Sequence, residues 1–287
     1  YAGPKFGIQG TRAFAGVPER PLIGTIIKPS VGLSAEATGA LVADLCAGGI
    51  DFIKDDELQA DGPACPFEDR VKFTMRAVNA AADKTGKKAM VAFNLTGEID
   101  EMRRRHDLVR DCGGTCVMVN LTGVGMSGMI DIGRHTELPI HAHRAGWGAL
   151  TRDPLLGWSY PAWSKLWRLA GADHMHVNGF DNKFTESNES VAASVASLKD
   201  PLFGNSPMCA VPVFSSGQTV RQAAATLNAA GSPDVLVTAG GGIIAHPDGV
   251  TEGVKAMRQA YDAAMQGVDV EVYAKEYHEL TAALATF

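Results

Sequence analysis

A lysine and three carboxylates follow one another in Lys54-Asp55-Asp56-Glu57, directly after the largely apolar run Ile50-Asp51-Phe52-Ile53. A strand buried on both faces is normally a continuous apolar run, so charged side chains at its C-terminal end need a reason. Alternation along a strand puts Lys54 and Asp56 on one face. Glu57 joins them if the strand ends there and the chain turns. Converging carboxylates can bind a hard cation, since Mg²⁺ takes oxygen ligands and keeps waters that a substrate can displace. An ammonium cannot ligate a metal, so Lys54 would have to be deprotonated or converted covalently to something acidic. A strand-end cluster of structural ion pairs would use the same residues.

Other reactive side chains recur at apolar-run ends. The first run ends in Lys28-Pro29-Ser30 and the third at Asn94. Two His-x-His pairs, His141/His143 and His174/His176, belong to the fifth and sixth runs, with Arg144 beside the first pair. One buried histidine is more often a hydrogen-bonded core residue than a catalyst; two such pairs on neighbouring strands are harder to dismiss. The seventh run ends in Ser215-Ser216-Gly217 and the eighth in Gly240-Gly241-Gly242. Glycine turns that expose backbone N–H groups bind anions, and they also serve as plain tight turns. Arg144 and His176 could hold a second anionic group.

The elements that must position these residues alternate. Strands are expected at 22–29, 49–57, 88–95, 116–121, 139–145, 174–179, 212–217 and 235–241. Helices are expected after the Ser34 cap, from about Phe67 with the spacing Val71, Met75, Val78, Ala82, and over 98–110, 163–170, 223–227 and 250–265. A last amphipathic segment covers 270–284, and residues 1–21 read as irregular. Eight strands alternating with helices are the pattern of a (β/α)₈ TIM barrel in the α/β class. A doubly wound sheet is the alternative, but no GxGxxG follows the first strand. In a barrel the chemistry lies at the C-terminal ends of the strands, with phosphate at the loops after strands seven and eight.

Composition narrows the function classes. The 287 residues, 46% of them hydrophobic, suit one large domain. A net charge of −6 without a basic block argues against nucleic acid as partner. No apolar run reaches the roughly 18 residues of a membrane span. The five cysteines match no zinc spacing and read as reduced thiols, so a cytoplasmic location is expected.

Six motifs then carry a resemblance: Gly-Thr-Ile-Ile-Lys-Pro-Ser-Val-Gly-Leu-Ser (24–34), Gly-Ile-Asp-Phe-Ile-Lys-Asp-Asp-Glu (49–57), His-Ala-His-Arg-Ala (141–145), Gly-Ala-Asp-His-Met-His (171–176), Val-Phe-Ser-Ser-Gly (213–217) and Gly-Gly-Gly-Ile-Ile-Ala-His-Pro (240–247). In this order they resemble the large-subunit superfamily of ribulose bisphosphate carboxylase (RuBisCO). The resemblance implies that residues 1–287 are the C-terminal barrel domain of a longer protein, whose N-terminal α+β domain would precede Tyr1 and complete the partner's site in a homodimer or assembly of dimers. It implies that carbon dioxide carbamylates Lys54, which with Asp56 and Glu57 holds Mg²⁺. Lys28 becomes the general acid/base near the reacting carbons, and His143 assists proton transfer. Arg144, His176 and Ser216 contact one phosphate-like end of the substrate; Gly240 and Gly241, with Gly217 in the preceding turn, belong to phosphate binding as well. Lys183, seven residues after His176, matches a mobile-lid lysine that contacts a substrate carboxylate.

The departures set the substrate expectation. Carboxylases have Lys-Pro-Lys where this chain has Lys28-Pro29-Ser30, and Ser-Gly-Gly where it has Ser216-Gly217-Gln218. Trp147 stands where they carry a histidine. The chain therefore looks like a RuBisCO-like protein that keeps the metal and the enolisation but acts on another phosphorylated substrate. Enolase and isomerase substrates carry no carboxylate and leave Lys183 without a task. A decarboxylase keeps a cation there, so the expected reaction is decarboxylation or transcarboxylation of a phosphorylated 3-oxo sugar acid of the 3-oxo-isoapionate 4-phosphate type. The alternatives are an enolase or isomerase of a methylthio-sugar phosphate, then a true carboxylase, then a non-catalytic regulatory barrel.

Overall fold

In the structure, a computed structural model, residues 1–153, 155–184, 186–204 and 208–287 are described. Eight parallel strands close into a barrel in chain order: β1 (Leu22–Ile26), β2 (Phe52–Lys54), β3 (Met90–Asn94), β4 (Cys116–Asn120), β5 (Ile140–His143), β6 (His174–Asn178), β7 (Val211–Phe214) and β8 (Leu236–Thr238). All eight expected strands are present. Their ladders stop before the expected site residues at several ends, so Lys28, Glu57, Ser216 and Gly240 sit in the loops above the ladder.

Strand alternation divides the core into two layers. Ile23, Ile53, Val91, Phe93, Val117 and Val119 face outward and pack under the helices. Leu22, Phe52, Met90, Ala92, Cys116, Met118, Val211, Val213 and Leu236 form a separate cluster inside the barrel. Phe52 is fully buried there, and such burial stabilises by roughly 1.5–3 kcal/mol per side chain. Phe52 packs on the bare backbone of Gly24, where a Cβ would lie 2.8 Å from the Phe52 carbonyl oxygen and 3.2 Å from its ring Cδ1. Two residues on from Phe52 and from Ala92, the same inward face carries Lys54 and Asn94. Alternation that fills the floor with hydrocarbon thus places polar atoms at the mouth.

The helices are α1 (Gly7–Ala15), α2 (Ala35–Ala47), α3 (Phe67–Thr85), α4 (Ile99–Asp111), α5 (Leu121–His135), α6 (Tyr160–Ala170), α7 (Asn188–Lys199), α8 (Ala223–Ala230), α9 (Gly241–Ile244), α10 (Val250–Gln266), α11 (Val270–Tyr273) and α12 (His278–Thr286). Ser34 caps α2 as expected, accepting from Ala37 N at 3.2 Å.

Three findings differ from the sequence reading. Residues 1–21 are not wholly irregular: α1 plugs the barrel floor with Ala15, followed by Val17. Asp173 holds its entry, accepting from Phe6 N at 2.8 Å and Gly7 N at 2.7 Å. α5 and α7 supply crossover helices that the periodicity did not reveal. The C-terminal segment is two helices, α11 and α12, separated by a 3₁₀ turn at Ala274–Glu276. Among the described residues no helix is long and apolar enough to cross a membrane, and all five cysteines are free thiols.

Candidate active site at the barrel mouth

Lys54 ends β2 inside the barrel, with only 1% of its surface exposed. Its Nζ donates to Glu57 Oε2 at 2.6 Å and to the Asp55 carbonyl at 2.8 Å, and lies 3.8 Å from Met118 Sδ. Burial lowers its pKa below the ordinary lysine value, against the opposing pull of Glu57, Asp56 and Asp55. Burial also works to raise Glu57, but the Lys54 charge and hydrogen bond outweigh it, so Glu57 stays below the usual range while Lys54 is charged. Asp56 Oδ2 accepts from Lys28 Nζ at 2.7 Å, and Lys28 also donates to Ser30 Oγ at 2.8 Å. The neighbouring Asp55 points elsewhere: it accepts from Arg70 Nε at 3.0 Å and from Asn94 N at 3.2 Å. One carboxylate of the run is therefore a structural ion pair, and two face the mouth.

These residues suit a divalent cation once Lys54 contributes an oxygen. Among the described residues, the group of His, Cys, Asp and Glu side chains whose donor atoms converge is His106, Asp107 and His135. Asp56, Glu57 and His143 alone do not converge so closely, and the missing ligand is what an acidic derivative of Lys54 would supply. His106 and Asp107 lie instead in the second half of α4, and His135 ends α5. There the His106 Nε2 accepts from Glu137 N at 3.1 Å, which leaves its proton on Nδ1, directed at Asp107 at 3.0 Å. That ring nitrogen has no lone pair for a metal.

The histidines form a stack down the barrel. His143 Nδ1 accepts from Ala145 N at 3.1 Å, so the neutral ring carries its proton on Nε2, 3.5 Å from Glu57 Oε2. His143 packs edge-on against His176. His176 pairs Nε2 with His141 Nε2 at 2.8 Å and Nδ1 with Ser215 Oγ at 3.1 Å. His174 reaches Thr11 Oγ1 of α1 at 2.8 Å. Burial, aided by neighbouring cationic and imidazole groups, holds His141, His143 and His176 well below the ordinary imidazole range. Burial alone takes His174 to about 3. All four are neutral at pH 7.

Arg144 lies beyond His143 with its guanidinium 4.9 Å over the Tyr160 ring. Tyr160 is fixed in turn by donating to the His176 carbonyl at 2.6 Å, by an edge-on contact with Trp147 and by a tilted one with Trp163. Trp147 thus supports Arg144 through Tyr160. A bulge between His176 and Asn178 re-aims the end of β6. Asn178 adopts a left-handed conformation, φ 65°, and accepts from Ser216 Oγ at 2.8 Å.

The loop after β6 is tied to the turn after β7. Lys183 N donates to the Ser216 carbonyl at 3.2 Å, and a Cβ on Gly217 would touch the Lys183 backbone at 3.7 Å. Lys183 Nζ is exposed and lies 5.5 Å over the Phe184 ring. Gln218 reaches beneath the loop and donates to the Phe180 carbonyl at 3.1 Å. It fills the space where any side chain at position 179 would go, since a Cβ there would lie 2.1 Å from Gln218 Nε2. Gly240 precedes and Gly241 begins α9 after β8, and a Cβ at Gly241 would meet nothing within 4 Å. The structure thus brings Lys28 to Asp56, Lys54 and His143 to Glu57, and Lys183 to Ser216 and Gly217. It does not bring Gly240 or Gly241 into contact with the Arg144 group. The sequence reading missed Asn178, Glu186 and Tyr160 as members of the site.

Residues 7–287 match the family model of the ribulose bisphosphate carboxylase large chain, catalytic domain. A 3-oxo-isoapionate-4-phosphate transcarboxylase/hydrolase of Xanthobacter autotrophicus is 61% identical over 99% of this chain and 69% of its own length. A 3-oxo-isoapionate-4-phosphate decarboxylase of Rhizobium etli is 43% identical over 100% of the chain and 69% of its own. A rubisco-like protein of Burkholderia fungorum superposes with a TM-score of 0.97 at 46% identity, covering 100% of this chain and 71% of that one. With the barrel, the charged mouth and these matches together, the chain belongs to the family of the ribulose bisphosphate carboxylase large chain.

Proposed function

We propose that this protein removes or transfers the carboxylate of a phosphorylated 3-oxo sugar acid of the 3-oxo-isoapionate 4-phosphate type. The observation that carries the reading is the buried Lys54 paired with Glu57 at the foot of a mouth whose rim holds Lys183. The substrate class draws support from the names of the relatives that are 61% and 43% identical.

Burial favours the neutral amine of Lys54, the form that adds carbon dioxide and loses one proton to give a carbamate. The carbamate, Asp56 and Glu57 would hold Mg²⁺, which supplies Lewis-acid polarisation of the keto and neighbouring oxygens. Loss of carbon dioxide from a 3-oxo acid leaves an electron pair delocalised as an enediolate. Lys28, held over Asp56, delivers the proton that quenches it. His143, whose proton sits on Nε2, donates a hydrogen bond to the developing oxyanion. Lys183 balances the leaving carboxylate. The Ser216–Gly217 and Gly240–Gly241 turns offer N–H groups to the phosphate.

A homodimer or assembly of dimers fits the apolar side chains exposed on the mouth loops, among them Val31, Leu58, Leu155, Leu156, Trp158 and Phe184. The test is to supply the full-length protein with 3-oxo-isoapionate 4-phosphate, Mg²⁺ and bicarbonate. Substrate-dependent release of carbon dioxide, or transfer of the carboxyl group, is expected. An inert keto acid together with turnover of a methylthio-sugar phosphate would establish the enolase or isomerase alternative instead.

A further inference from the structure

The Arg144 pocket already contains an anion of the chain's own. Glu186, from the segment that leads into α7, extends inward until its Oε2 lies 3.3 Å from Arg144 Nη2. The same oxygen accepts a short hydrogen bond from Asn178 Nδ2. Its other oxygen accepts from Ser190 Oγ at 2.9 Å, and its backbone carbonyl from Asn182 Nδ2 at 3.0 Å. The carboxylate is therefore held from both sides. Its side chain is 18% exposed and that of Arg144 8%. Arg144 Nη1 is buried and finds no partner, so the pocket keeps one donor direction open while most of the guanidinium charge is already answered.

We propose that Glu186 is a built-in counter-anion which makes this mouth a one-phosphate site. A dianionic phosphate beside Arg144 would meet a carboxylate sharing the same cation, and in a buried pocket that repulsion is weakly screened. A neutral or hydroxyl-bearing substrate end meets no such penalty and can use the open Nη1 donor. The phosphate is then left to the glycine turns after β7 and β8. Glu186 acts as a specificity-determining residue by rejecting a second anion, not by contacting the reacting atoms. This inference rests on the proposed monophosphorylated substrate only for its biological sense; the selectivity it describes can be measured without turnover.

The experiment measures binding of ribulose 1,5-bisphosphate and ribulose 5-phosphate to the full-length protein and to its Glu186→Gln variant by calorimetry, at fixed ionic strength. Glutamine keeps the size and the Ser190 hydrogen bond and removes the charge. The bisphosphate is expected to bind the variant about tenfold or more tightly than the wild type, with the monophosphate changing less than about threefold. An equal gain for both ligands would mean that Glu186 competes with any phosphate and would overturn the inference. So would no gain for the bisphosphate. Glu186→Ala, which also removes the carboxylate, must show the same direction if glutamine disturbs the loop. Should the wild type ignore the 3-oxo acid while the selectivity shift persists, the proposed reaction falls and the role of Glu186 stands.

Discussion

Asp51 and Lys54 stand at opposite ends of the same four residues, and their surroundings differ. Asp51, at the barrel floor, is fully enclosed by donors. It accepts from Arg20 through both oxygens at 2.6 and 2.9 Å, from Ile23 N at 2.9 Å, from Arg258 at 3.3 Å and from Lys87. Burial works to raise its pKa, yet Arg20, Arg258 and Lys87 hold it at about 2. Lys54, at the mouth, has one carboxylate oxygen, one carbonyl and a thioether, and burial leaves its charge poorly supported. Close by, Arg144 Nη1 and Gln218 Oε1 have no partner. Buried polar groups without partners are uncommon and call for a cause. The floor closes its charges on each other, while the mouth leaves a donor and an acceptor that a ligand can complete.

The sharpest way to break this contrast is to disarm each end separately. Lys54→Ala is expected to lower Mg²⁺-dependent turnover by ~1000-fold or more while the melting temperature holds or rises, because a poorly supported buried cation is lost. Turnover that survives, or that is indifferent to carbon dioxide during activation, would refute the carbamate. Asp51→Asn should do the reverse. It leaves three cations around a neutral amide and should cost about 3–5 kcal/mol of stability, read as a lower urea midpoint, with kcat of the folded enzyme near wild type. A fall in kcat matching that of the mouth variant would erase the distinction between the ends.

A smaller effect separates the rim from the foot of the mouth. Lys183→Met is expected to reduce decarboxylation by ~100-fold. Exchange of a substrate α-proton with solvent, where the substrate has one, should fall much less, because that step rests on Lys28 and the carboxylates. Equal loss in both assays would assign Lys183 to loop closure alone.

The mildest test is acid. His141, His174 and His176 are neutral in the fold, with pKa values depressed by burial. Below about pH 6.5 the unfolded chain binds protons that the fold does not. Their contribution is thus complete above that pH and is lost as pH falls, by about 1.4 kcal/mol per pH unit for each histidine. Asp51, depressed from 3.8 to about 2, adds its loss only below about pH 4. Urea midpoints measured from pH 7 to 5 should therefore fall in a protein whose floor ion pairs remain intact. A flat profile would show that the histidines are not buried neutral.

The strands were legible because each is an apolar run bounded by turn residues, and the mouth because charges interrupt those runs. The hidden helices had weak signals for physical reasons. α5 contains Gly123, Gly125, Gly128 and Gly133. At Gly125 the chain adopts φ 65° and the helix breaks, while Gly133 lets the Ala170 carbonyl of α6 approach a would-be Cβ to 3.1 Å. These glycines are spent on a bend and a close helix contact, which lowers helix propensity. α7 is rich in serine, and Ser194 and Ser197 are buried where periodicity looks for hydrocarbon. Lys54, Asp56 and Glu57 could be found from one short run. Glu186 could not, because a single glutamate in a polar loop is ordinary until the bulge at Asn178 shows where it points.

The shortness of β2 has a mechanical consequence. From Asp51 to Lys54 the backbone advances roughly 10 Å, so the lysine stands on a post whose foot is clamped by three cations from β1's approach, β3's approach and α10. A post that short is held along its whole length by the ladders to β1 and β3. The three cations Arg20, Lys87 and Arg258 hold only the foot, while the ladder fixes the tip on its own, pairing Lys54 with Ile26 of β1 and Ala92 of β3, so the amine keeps its place when the foot is loosened.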